Sequence, residues 1–228
     1  MILFDETKKT VEFDLENMLF IGKGMFGKVY KINDNTCLKI FGVEHKRSEK
    51  ILKKIRDLEL DSYYNIYDLY HDEEKRFFGY SMKYYDNSDI DILGISKDYL
   101  LENYETMFED IAVISKKLIE IIDLNYNNVI YTNEGIVIID ADLYRFSTAS
   151  KKHLKYINNK YLQNLYINMI LQQLEKKYGY DRYQINRMRN ILLDYFYEKI
   201  DNPKVLERKL GRYEKPIEFV RYLERKRK

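Results

Sequence analysis

Three glycines, Gly22, Gly24 and Gly27, stand at G-x-G-x-x-G spacing in FIGKGMFGKVYKI (20–32), with Val29 two places after the last. Glycines so spaced let backbone N–H groups approach a nucleotide's phosphates, but the same spacing suits a hairpin with no ligand. The flanks must decide. MLFIG and GKVYKI read as two strands around the glycines, and CLKIF follows one strand later with Lys39 between Leu38 and Ile40. A lysine placed there presents an ammonium to phosphates without a long loop. Far downstream, IIDLNYNNVIYTNEGIVIIDADLYRF (121–146) carries the acids. Asp123 and Asn128 match D-L-x-x-x-N, in which a carboxylate orients a hydroxyl and an amide ligates a metal. Val137, Ile138 and Ile139 then form an apolar strand that delivers Asp140 at its end, where magnesium would join it to phosphate oxygens. Asp142 is open between a second metal contact and a turn acid.

The elements that must position these residues change character along the chain. Up to about Tyr85, β-branched and aromatic runs separated by turns such as NDNT (33–36) and DEEK (72–75) read as strands. One helix interrupts them: in EHKRSEKILKKIRDLEL (44–60), Ile51, Ile55 and Leu58 recur at helical spacing with Leu52 beside them. From Ser96 onward the pattern is helical, over 96–122, 158–179 and 182–200. A strand pair, NVIYT and IVIID, lies between the first two helices and turns at Asn133-Glu134-Gly135. The expected organisation is a β-rich unit over 1–85 and a helical unit over 86–228, joined by a short connector near 85–95.

Composition narrows the function classes. No apolar run of the 228 residues approaches the roughly 20 that a membrane span needs, and MILFDETKK places acids where a signal peptide would be apolar, so a cytoplasmic protein without a membrane partner is expected. Cys37 is the single cysteine, and His45, His71 and His153 are scattered, which argues against a thiolate cluster or zinc. The net charge of +2 hides an asymmetry: residues 1–145 hold 19 Lys/Arg against 28 Asp/Glu, and residues 146–228 hold 20 against 9. A basic C-terminal part suits an anionic partner or simply a solvated helical exterior. Nucleic acid is not the expected partner, because RYLERKRK (221–228) rests on charge alone.

Together, the glycine hairpin, Lys39, the Asp123–Asn128 loop and Asp140 resemble the eukaryotic-type protein kinase and aminoglycoside phosphotransferase-like superfamily, in a compact and degenerate form, over roughly residues 18–145. The resemblance implies an α+β, bilobal, protein kinase-like fold: a small antiparallel β-sheet N-lobe with one helix, and a mainly helical C-lobe. It also implies ATP and Mg as ligands. Gly22, Gly24, Gly27 and Val29 would form the phosphate lid and Lys39 the phosphate-binding lysine, with Glu49 as its ion-pair partner and Glu59 in reserve. Met82 would guard the adenine pocket, with the backbone from Lys83 through Tyr84 to Tyr85 bonding the base. Asp123 would be the catalytic base, and Asn128 and Asp140 the metal ligands.

The departures shape the expected substrate. Ile121-Ile122 stand where protein kinases carry His-Arg, Asn125 stands where serine/threonine kinases carry a lysine, and Asp140-Ala141-Asp142 replaces Asp-Phe-Gly. No Ala-Pro-Glu follows, so the peptide-docking platform is cut away. The function implied is transfer of the γ-phosphoryl group of ATP to a hydroxyl of a small molecule or a protein. The alternative is a pseudokinase scaffold that binds nucleotide and, through its basic helical part, a protein partner.

Overall fold

The computed structural model describes residues 1–42, 46–86, 95–196 and 203–210. The basic 221–228 run, His45 and most of the expected connector lie outside those residues. The chain opens with a hairpin of β1 (Ile2–Phe4) and β2 (Thr10–Glu12). Its turn is held by one carboxylate: Asp5 accepts from the N–H groups of Thr7 and Lys9 and from the Thr7 hydroxyl. Then come β3 (Leu19–Lys23), β4 (Gly27–Asn33), β5 (Thr36–Phe41), helix α1 (Lys46–Arg56), β6 (Ile66–His71) and β7 (Phe77–Lys83).

These seven strands make one antiparallel sheet in the order β2-β1-β6-β7-β5-β4-β3. The expected fold, a bilobal kinase-like chain with a small N-lobe sheet, is corrected by this finding. The first twelve residues extend the sheet on its β6 edge, where Phe4 pairs with His71. Burial explains why they stay there. Leu3 and Phe13 pack with Leu38, Ile40 and Tyr70 into a separate apolar cluster on one sheet face. The opposite face, with Cys37 and Phe41, joins the main core, which runs through α1 to the helices of the second half. With a core on each side, residues 37–41 are all buried, and alternation along β5 sorts side chains between two cores.

The second half contains α2 (Lys97–Lys116), β8 (Ile119–Glu120), the hairpin of β9 (Val129–Thr132) and β10 (Gly135–Ile138), β11 (Arg145–Phe146), α3 (Lys151–Tyr178), α4 (Arg182–Phe196) and α5 (Pro203–Leu210). Two helices of this half differ from the boundaries read in the sequence. The helix expected over 96–122 stops at Lys116, because Leu118 takes φ 61° and the chain turns into β8 to pair with β11. The helix expected from 158 starts at Lys151, where the Ser150 side chain caps it by accepting from the His153 N–H. Its end is Gly179, at φ 67°. α1 buries Ile51, Leu52 and Ile55, each at 2% exposure or less, but ends before Leu58.

Two backbone links fasten the halves. Tyr64 donates its N–H to the Ile138 carbonyl at 3.0 Å, and Ile138 donates to the Ser62 carbonyl at 2.7 Å. Ser62 is itself held by Asp110 of α2, whose Oδ2 accepts from both its N–H (2.7 Å) and its hydroxyl (2.6 Å). The end of β10 therefore lies against the segment that follows α1, with Asp140 two residues further on.

Candidate active site

The tip of the β3–β4 hairpin closes when Gly24 donates its N–H to the Gly27 carbonyl at 2.9 Å. The glycines serve different ends. A Cβ on Gly27 would sit 2.3 Å from the Ile40 carbonyl oxygen, so this glycine lets β4 approach β5. A Cβ on Gly22 would meet nothing within 4 Å, so the outer part of the hairpin faces open space. Val29 pairs with Lys39 across β4 and β5.

On its other side Lys39 pairs with Tyr80 of β7, and the next position along β7 is Gly79. A Cβ there would lie 2.3 Å from the carbonyl oxygen of Lys39. Gly79 thus sets how closely β7 can approach the lysine, a role the sequence reading missed. Its signal is a lone glycine inside the apolar strand FFGYSM.

Lys39 is 5% exposed, and its ammonium reaches two carboxylates. Nζ donates to Asp140 Oδ1 at 2.8 Å, and Asp142 Oδ2 lies 2.5 Å away. The contact with Asp142 has the distance of an ion pair but poor hydrogen-bond direction, and both Asp142 oxygens are buried. Burial drives the ammonium toward neutrality, but Asp142 and Asp140 outweigh it and hold its pKa above the ordinary value. One ammonium cannot settle two carboxylates equally. Burial raises Asp140 too, yet Lys39 prevails and its pKa is lowered; for Asp142 burial prevails over Lys39 and its pKa is raised. The side chains differ in access as well: 33% of Asp140 is exposed and 1% of Asp142.

Glu49 makes no ion pair with Lys39; the ring of His71 contacts its carboxylate at 3.1 Å. Helical phase is the reason. The α1 residue that turns inward is Ser48, 2% exposed, whose hydroxyl donates to the Asp142 carbonyl at 3.0 Å. The next residue is rotated by about 100° and faces away. Glu59, the reserve, lies beyond the end of α1 at φ 48° and lines a different cleft.

The Asp123 loop is held from below by Asn158 of α3. Its Nδ2 donates to the Ser115 hydroxyl (2.9 Å) and the Ile119 carbonyl (3.0 Å), and its Oδ1 accepts from the Ile121 N–H (2.9 Å). Asp123 then takes φ 63°, with its carboxylate exposed and gripped by two amides. Asn125 Nδ2 donates to Oδ1 at 2.7 Å; Asn128 Nδ2 donates to the Asp123 carbonyl at 2.8 Å and to Oδ2 at 3.2 Å. Asn125, which the sequence reading treats only as a missing lysine, here orients the carboxylate. Because its nitrogen faces Asp123, Asn128 keeps its amide oxygen for another partner. The Asn128 carbonyl accepts from the Ile139 N–H at 2.9 Å, joining this loop to the residue before Asp140.

Asp140 takes φ 64°, and the turn Ala141–Leu143 follows it. Beneath lies a set of buried tyrosines: the Ala141 N–H donates to Tyr64 Oη at 3.4 Å, Tyr64 and Tyr80 hydroxyls are 3.3 Å apart, and those of Tyr63 and Tyr144 are 3.2 Å apart. Burial pushes all four phenols well up, so they remain neutral.

Met82, 9% exposed, pairs with Cys37, and burial pushes that thiol up to about 11, which makes it no nucleophile. Two of the three peptide N–H groups expected to meet a base are used: Lys83 donates to the Asn65 carbonyl and Tyr84 to the Asn35 carbonyl, both at 2.9 Å. Tyr84 also lies under the Lys31 ammonium, 4.7 Å from the ring centroid.

Among the described residues no cluster of three or more His, Cys, Asp or Glu forms a metal cage. A hard cation here would rely on Asp140, the Asn128 oxygen and its substrate's own oxygens, the usual manner of magnesium. A separate cleft of about 710 Å³, lined in part by Arg56, Tyr67, Lys83 and Glu134, contains none of Lys39, Asp123, Asp140 or the glycine hairpin. No helix among the described residues is long and apolar enough to cross a membrane. In comparisons with known proteins, no family model matches the chain and no curated protein matches it.

Proposed function

We propose that this chain is an ATP- and magnesium-dependent phosphotransferase that moves a γ-phosphoryl group to a hydroxyl, with a small hydroxylated molecule favoured over a protein as acceptor. The reading rests on the site and not on the extent of the sheet. One observation carries it: Lys39 and Asp140, 101 residues apart in sequence, meet at 2.8 Å beside an open glycine hairpin and a loop that presents Asp123.

Each group has a task its surroundings suit. The hairpin N–H groups and Lys39 would take the phosphates, and the base would lie toward Met82, where the Lys83 and Tyr84 N–H groups are already used. Asp140 and the Asn128 oxygen would hold magnesium, which would neutralise charge on the transferring phosphoryl group. Asp123, fixed by two amides, accepts the proton of the attacking hydroxyl. A protein acceptor is less favoured because no Ala-Pro-Glu motif follows Asp140 in the sequence.

The test is to incubate the pure protein with γ-labelled ATP, magnesium and a metabolite-plus-protein extract. Label appearing in an acceptor supports the reading. ATP binding without any transfer would replace it with a nucleotide-binding scaffold, and absence of both would end it.

A further inference from the structure

We infer that Asp142 is the fixed counter-ion of Lys39 and positions its ammonium for phosphate, while Asp140 alone is released to the metal. This deepens the reading above and rests on it. Asp142 performs the task that the kinase resemblance gives to a glutamate on the helix, and it is not a second metal ligand.

Access divides the two acids. Asp140 is one-third exposed and can turn an oxygen outward; Asp142 is sealed at 1%, with Lys39 and Asp140 beside it. Its backbone is pinned on both sides, by the Ser48 hydroxyl on its carbonyl and by Tyr64 Oη on the Ala141 N–H. A carboxylate so enclosed has no path to a hydrated cation, which needs several open oxygens around it.

Charge balance supplies the second argument. In the structure two carboxylates share one ammonium: the well-directed hydrogen bond goes to Asp140 at 2.8 Å, while Asp142 Oδ2 holds Lys39 at 2.5 Å in poor hydrogen-bond geometry. A buried polar group left so is costly unless another state satisfies it. Once Asp140 turns to a divalent cation, Lys39 and Asp142 form a one-to-one pair in a dry site, and the ammonium is free to align with Asp142. Glu49, occupied by His71, takes no part. The consequence is a lysine whose placement does not depend on a movement of α1.

Two measurements test this. The first is a stability cycle of Lys39→Met with Asp142→Asn, and separately with Glu49→Gln. Removing Lys39 leaves two facing acids, so Asp142→Asn should change the melting temperature more favourably in the Lys39→Met background than in wild type, by about 3 °C or more. Glu49→Gln should shift both backgrounds equally. The second is calorimetric binding of Mg·ATP and of adenosine. Asp142→Asn should weaken Mg·ATP roughly 10-fold or more and leave adenosine unchanged, because Lys39 acts on the phosphates only; Glu49→Gln should leave both within about twofold. Equal loss of adenosine would mean a merely structural role and overturn the proposal, as would a Glu49 coupling as large as that of Asp142. If wild type binds adenosine and Mg·ATP but Asp142→Asn does not discriminate, the positioning role falls while the phosphotransferase reading stands. If wild type binds no nucleotide, that reading falls and takes the positioning role with it, whatever the stability cycle returns.

Discussion

Gly79 lies against the peptide of Lys39: a Cβ at residue 79 would sit 2.3 Å from the Lys39 carbonyl oxygen. The contact is backbone to side-chain position, so no rotamer change can relieve it. Gly79→Ala should force β7 away from β5 and cost on the order of 2 kcal/mol in stability, with weakened ATP binding because Lys39 moves with its strand. Gly22→Ala is the contrast, since nothing lies within 4 Å of its Cβ. It should stay within about 0.5 kcal/mol of wild type by denaturant titration. Equal stability loss at the two glycines would contradict this placement of the strands.

Asn158 makes three buried hydrogen bonds to the chain leading into the Asp123 loop. Asn158→Ala strands the Ile121 N–H and the Ile119 carbonyl away from water. A loss on the order of 3 kcal/mol is expected, with faster amide hydrogen exchange at Ile121 than at residues in α4. Unchanged exchange at Ile121 would show that the loop is held by something else.

Some of this was legible in the sequence and some was not, for physical reasons. The apolar period of Ile51, Leu52 and Ile55 marks a helix because local spacing determines which face a helix buries. The turn at Asn133-Glu134 between β9 and β10 is a local signal in the same sense. By contrast, the pairing of Phe4 with His71 joins residues whose own neighbourhoods say nothing about each other, and the enlarged sheet followed from it. Glu49 shows the limit of helical phase: a one-residue error is a 100° rotation, enough to exchange Ser48 for the wrong carboxylate. Asp142 reads equally as a turn acid or a second metal contact, because its burial comes from α1 and the tyrosines packing over it, neither of which is visible at position 142.

Asp123→Asn separates chemistry from binding. The substitution preserves shape while removing the charge that receives the hydroxyl proton. Phosphoryl transfer should fall on the order of 100-fold or more with Mg·ATP affinity nearly unchanged. Asn125→Ala should give a smaller loss of the same kind, because it frees Asp123 Oδ1 from its 2.7 Å tether without removing the charge. Full transfer by the Asp123 variant would remove that residue from the mechanism.

The acid pair also gives the metal-free protein, in which Asp140 and Asp142 share Lys39, a pH signature distinct from the one-to-one pair that forms once Asp140 turns to a cation. Burial holds the Asp142 carboxyl up at about 7; Lys39 pulls it down without prevailing, and Asp140 adds to the rise. In the unfolded chain the same carboxyl titrates near 3.8. Between those values the folded chain binds the extra proton, so this group's contribution to stability is fully present below the lower value and declines as pH rises to the upper one. Asp140, whose pKa is lowered, contributes the opposite slope, but only as pH falls below about 3.8 and therefore outside that window. Asp142→Asn has no proton to exchange. The melting temperature of wild type minus that of Asp142→Asn should therefore fall from pH 4.5 onward, shrinking by roughly 2 °C or more by pH 7.5, measured by scanning calorimetry in matched ionic strength. A difference that is flat across the window, or that grows with pH, would mean that Asp142 carries its charge throughout and that Lys39 settles both acids at once.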